Sequence, residues 1–229
     1  MNIYKIVLSF ILAAFLAIAG YFVYRRDPSE MLNLLFLGAF EAYTVFFIFD
    51  AFIGIMYSDL VLANLCRDIS SVSALFGHSL VFLGSYYVLK GKDALKEPKI
   101  IIPFLLLTGI AIILGQLDDW VVVDITTQSY TLEQNILGIL FNFIYHAILI
   151  LSAIGIYTNI YLSSTDEDIK RRLKLLVLGL GTVVIGQLFQ VILAALITPA
   201  VYYALILPDA IVYSLWAIGI IVIIRAFQR

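Results

Sequence analysis

Two histidines occur in the 229 residues, and both fall inside long apolar runs, His78 within 69–89 and His146 within 135–162. An imidazole so placed can ligate a metal, relay a proton or hydrogen-bond a neighbouring helix. Runs of the same kind carry Glu41, Asp50, Gln190 and Asp209. A carboxyl or amide group in hydrocarbon costs kilocalories unless it finds a partner, so each of these side chains predicts other helices packed around it. Counting from the helix ends at ~1.5 Å per residue puts Asp50, Gln190 and Asp209 about 10 Å below one surface and His78 about 13 Å down, with His146 and Glu41 near the midplane.

The 3.6-residue period sorts these groups into stripes. Asp50 aligns with Tyr43 and Tyr57, His78 with Ser71 and Ser85, Gln190 with Gly186 and Gly179, and Asp209 with Tyr202, Tyr213 and Trp216. In the 135–162 run, Asn135, Gly138, Asn142, His146, Ala153 and Tyr157 share one face. The stripes are expected to converge on one outward-opening polar cavity, with Asp50, Tyr43, Asn142, His146, Gln190, Asp209, Tyr213 and Trp216 as its ligand-binding set. Glu41 lies nine residues from Asp50, about half a turn around the same helix, and is expected to face elsewhere.

Three chemistries compete for these residues, against the plain alternative that they join helices. The first is a sensor site for a small ligand. The second is electron transfer through b-type haem, with His78 and His146 as axial ligands at similar depth. The third is proton- or cation-coupled transport through Asp50, Glu41 and Asp209. No H-x-x-x-H spacing or nucleophile-base pairing argues for an enzyme. The single Cys66 has no second thiol for a disulfide or a metal site.

The elements that must hold these residues follow from composition. Hydrophobic residues make up 63% and charged residues 13% of the chain, far from the soluble-globular range. Apolar segments at 6–24, 31–57, 69–89, 100–116, 135–162, 173–197 and 202–224 predict an all-α integral membrane protein, a bundle of seven transmembrane helices forming one domain. The first segment runs on to Arg25 and Arg26, which favours a retained helix over a cleaved leader. Of 14 Lys and Arg, only Lys5 and Arg67 fall at the N-terminus and on the even-numbered connections. The positive-inside rule then puts the N-terminus outside and the C-terminus in the cytoplasm of a multi-pass cell-membrane protein.

Short connections leave little room for soluble domains. Thr165 and Asp168 are spaced for a capping box at the start of the sixth helix, followed by Lys170, Arg171, Arg172 and Lys174, suited to anionic headgroups. The acidic loop 117–133, with the β-prone run 120–127, is expected to form an external hairpin lid. Pro208, beside Asp209, is expected to hinge the seventh helix.

The pattern L-x-L-L-x-L-G occurs at both 32–38 and 173–179, and Ser79, Leu80, Gly84 and Lys90 line up with Ser214, Leu215, Gly219 and Arg225. This internal match resembles the 3+1+3 parallel repeat of SWEET-type proteins, although Pro103 and Pro208 lie in helices 4 and 7 rather than at that family's hinges. The segment after Lys170, R-R-L-K-L-L-V-L-G-L-G, resembles the sixth helix of prokaryotic seven-helix histidine-kinase sensor regions, and the orientation is that of the rhodopsin and receptor families. The resemblance implies a receptor-like bundle that signals through a separate partner protein. The seventh segment holds no Lys for a Schiff base, which argues against retinal.

Overall fold

The computed structural model describes residues 3–91, 93–117, 121–124, 129–132, 136–196 and 206–227. Helices α1 (Ile3–Arg26), α2 (Met31–Met56), α3 (Leu60–Lys90) and α4 (Pro98–Gly115) follow one another through short connections. A two-stranded antiparallel hairpin comes next, β1 (Val121–Asp124) pairing with β2 (Ser129–Leu132). The hairpin expected in the acidic loop is therefore present, and β1 lies against α3. A short α5 (Ile136–Gly138) and a π-helical stretch (Ile139–Ile144) lead into α6 (Tyr145–Ser163), followed by α7 (Glu167–Leu196) and α8 (Ile206–Ala226).

Six of these helices are long and apolar enough to cross a membrane: α1 to α4, α6 and the Glu167–Phe189 part of α7. The apolar part of α8, Ala210–Ala226, is shorter. The chain is thus a helical, multi-pass membrane protein by length and composition of its helices. Large apolar side chains such as Val61, Leu106, Ile113 and Leu188 point outward, as they should where lipid replaces water.

The helices close a ring. α1 packs on α2, α2 on α3, α3 on α6, α6 on α7, α7 on α8, and α8 back on α1. α4 stands outside it against α3, α5 and the π stretch, and only 17% of its apolar window is buried, against 50% for α3. At the end carrying the basic connections, an Arg26 guanidinium donates to the Phe227 carbonyl, joining the first and last helices. At the same end Tyr86 on α3 donates to the Glu97 carboxylate at the start of α4 (2.9 Å).

Two helix starts differ from the sequence expectation, each for a local reason. α3 begins at Leu60 rather than near 69, because Asp59 caps it: its carboxylate accepts from the Leu62 N–H at 3.2 Å. Arg67 and Asp68 are therefore inside a helix and not in a connection. The cap of α7 is Asp166, whose carboxylate accepts from Asp168 N–H (2.8 Å) and Ile169 N–H (3.1 Å), so the box expected from Thr165 is shifted by one residue.

Small residues set how closely helices approach. A Cβ on Gly179 would sit 2.5 Å from Ile223 Cγ1 and 2.7 Å from the Gly219 carbonyl oxygen, so α7 and α8 touch backbone to backbone. A Cβ on Gly186 would meet the Trp216 indole at 2.9 Å.

Candidate ligand cavity

At the end of the bundle away from the basic connections, α1, α2 and α8 are tied by one polar cluster. Lys5 Nζ lies 3.5 Å from the Asp50 carboxylate, and the Ser9 hydroxyl donates to that carboxylate at 3.2 Å. The Tyr213 hydroxyl lies 3.3 Å from the same oxygen and 2.7 Å from the Ser9 hydroxyl, so two hydroxyl protons serve the three contacts of this triangle. Lys5 and Ser9 are one helical turn apart and therefore reach Asp50 from the same face of α1. Asp50 is only 7% exposed, so this ion pair satisfies a charge that would otherwise be stranded. Asp50 and Tyr213, expected in the ligand-binding set, are thus engaged by each other and by α1. Lys5, expected in the N-terminal flank, is the counter-ion.

Below the cluster, about halfway along the helices, lies a cavity of about 80 Å³. All six ring helices contribute to it: Leu16 from α1, Ile150 from α6, and larger faces of α2, α3, α7 and α8. Tyr43, which lines it, lies ~18 Å along α2 at ~1.5 Å per residue. Its walls are aromatic, with Phe36, Phe40, Phe47 and Trp216 among them, and Phe47 meets Trp216 edge-on with centroids 5.3 Å apart. Tyr43, His78, Gln187 and the Trp216 indole supply the hydrogen-bonding groups of the lining. Among the described residues the lining includes no carboxylate, lysine or arginine. Trp216 Nε1 is buried without a hydrogen-bond partner among the described residues. A group with a donor to spare, in a wall of rings, suits an uncharged molecule that carries an acceptor.

Tyr43 is placed by a missing side chain. A Cβ on Gly77 would fall 2.9 Å from its ring, so only glycine lets the ring lie against α3. Held there, it meets the His78 ring at a right angle with centroids 5.3 Å apart.

His78 and His146 do come together, as their matched depths predicted. Their ring centroids are 4.9 Å apart and tilted by 44°. His78 Nδ1 donates to the Ala74 carbonyl (2.7 Å), and His146 Nε2 is buried without a hydrogen-bond partner among the described residues. Axial imidazoles on opposite sides of one iron, with metal–nitrogen bonds of about 2 Å, need centroids about 6 Å apart and a macrocycle between them. These rings lie closer than that, beside a cavity of about 80 Å³. Haem b does not fit this arrangement.

The sixth-helix stripe needs a further correction. Gly179 and Gly186 were expected to face the cavity with Gln190, but they form the contact with α8. The cavity is faced by Leu180, Val183 and Gln187 instead. The side chains of Asn142, Gln190 and Asp209, and Asn135 altogether, lie outside the described residues, as does the side chain of Pro208. Gln187 is absent from the sequence-based set although its spacing from Leu180 and Val183 is that of one helical face, because that face adjoins the Gly179 and Gly186 stripe and nothing in the helix itself ranks one above the other. On α6, Ile150, Ala153 and Tyr157 do turn inward, while the π stretch just before Tyr145 breaks the face expected to run from Asn135 to Tyr157.

No protein-family model, curated protein or solved structure matches the chain. The site's own chemistry is therefore the ground for a functional reading.

Proposed function

We propose that the protein is a receptor-like sensor of the cell membrane, a seven-helix bundle with its N-terminus outside. It binds a small uncharged molecule in the central cavity and signals through a separate partner at the basic, cytoplasmic face. The observation that carries this reading is the aromatic cavity reached by all six ring helices, with Gln187, Tyr43 and the Trp216 indole, which has no partner among the described residues, at its wall. A ligand there touches every helix of the ring, so it can favour one packing of the ring over another, which is what a sensor requires thermodynamically. The site differs from the outward-opening polar pocket expected from the sequence in being central and mostly apolar.

The chain has two tryptophans, so Trp120→Phe leaves Trp216 as the sole indole reporter. Phenol titrated into that variant in lipid nanodiscs should quench its fluorescence saturably, with at least a fivefold weaker apparent Kd after Gln187→Leu. Quenching that only rises linearly with phenol, as partitioning into lipid does, would end the reading.

Transport of a small solute is a second reading, supported by one observation. The ring consists of α1–α3 and α6–α8 with α4 outside, and its neighbour pairs map onto themselves when the first three helices are exchanged for the last three. Uptake of a solute into proteoliposomes, abolished by filling the cavity with Val183→Trp, would favour it over sensing.

A further inference from the structure

Glu41 is an ionisable group in mid-helix that neither the cavity nor the ion-pair cluster uses. Glu41 is exposed on α2, ~15 Å from the Met31 end at ~1.5 Å per residue, with exposed Leu34 (38%) and Val45 (36%) on the same face. Its carboxyl oxygen comes beside Gly20 of α1, where an added Cβ would lie 3.4 Å away. Among the described residues no side chain gives it a hydrogen bond or an ion pair. In a helix that crosses lipid, a carboxyl group in this position needs a partner from outside the chain.

We propose that this α1–α2 face is the interface between two copies of the chain, with the two Glu41 carboxyl groups hydrogen-bonded to each other across a two-fold axis. A protonated carboxylic acid has one donor and spare acceptor capacity, so a second identical group satisfies it in both directions. The surface is thereby self-complementary, as an isologous interface requires. Among the described residues the exposed cation deepest in another helix face, Lys174, is about 10 Å from the start of α7 at ~1.5 Å per residue, so a head-to-tail contact would bring no cation level with Glu41. The adjoining Leu34 and Val45 add apolar packing. Glu41 then has a structural reason to lie on the face opposite Asp50, which serves the bundle's own interior.

The test uses the full chain with Cys66→Ser as background, purified and reconstituted into phosphatidylcholine vesicles. Val45→Cys should cross-link to a dimer with a bismaleimide, whereas Leu105→Cys, exposed on α4, should not. Adding Glu41→Gln, whose amide also donates and accepts, should leave the dimer in place. Adding Glu41→Leu should cut the cross-linked fraction at least fivefold while the melting temperature of the monomer stays within a few degrees. Equal cross-linking from Val45→Cys and Leu105→Cys, or a dimer indifferent to Glu41→Leu, would overturn the proposal. So would a protein that is monomeric when reconstituted alone, since the partner would then be a basic helix of another protein.

Discussion

Gly179 and Gly219 hold α7 and α8 in backbone contact: a Cβ added to either would lie 2.7 Å from the carbonyl oxygen of the other. Neither backbone can yield as a flexible side chain would. The last two long helices therefore leave no room for a side chain between them at this point.

Gly179→Ala is expected to lower stability by about 1–3 kcal/mol, the usual cost of overpacking a well-filled contact. Gly155 has nothing within 4 Å of an added Cβ, so Gly155→Ala should be neutral or stabilising by up to about 1 kcal/mol. Thermal melts of the two variants in one detergent would show the contrast, and equal melting temperatures would refute the close contact.

Lys5 and Asp50 should behave as a coupled pair. Lys5→Met leaves a buried carboxylate without its cation and is expected to cost about 3–5 kcal/mol. Adding Asp50→Asn should recover most of that loss, because the amide can still bond Ser9 and Tyr213. Additive losses in the double-mutant cycle would show that the 3.5 Å approach contributes nothing.

Gly77→Ala should act on the cavity without touching it. The new methyl group collides with the Tyr43 ring, which is expected to shift toward the cavity it lines. Phenol binding read from Trp216 should weaken by about tenfold, roughly 1.4 kcal/mol. An unchanged Kd would mean that Tyr43 has room elsewhere.

The start of α7 offers a test of local structure. Asp166→Ala should cost about 1 kcal/mol, the usual value of an N-cap, while Thr165→Ala should cost little. Melting temperatures that fall equally, or more for Thr165→Ala, would restore the cap to Thr165.

Orientation is tested with single cysteines on the Cys66→Ser background. An impermeant maleimide applied to sealed cells should label Ser58→Cys and spare Ser163→Cys until the cells are opened. The reverse pattern would contradict the positive-inside reading.

The helices themselves were legible in the chain, because bilayer thickness and backbone hydrogen bonding force long uninterrupted apolar runs whatever the fold. Periodicity also brought His78 and His146 to the same depth and directed Glu41 away from Asp50, since position along and around one helix depends on that helix alone. Caps were legible only to within a residue, as Asp166 shows, because several Thr and Asp side chains compete for the same N–H groups. What one helix meets on another was decided by tertiary structure. Nothing within 173–197 says whether its glycine face or its Gln187 face looks inward. The close approach of Gly219 turns the glycines toward α8, and that rotation leaves Gln187 at the cavity. The partner of Asp50 was likewise hidden, because Lys5 lies far away in sequence and meets it only when α1 packs on α2. Pairings of this kind depend on the relative rotation of two helices, a quantity that neither helix encodes by itself.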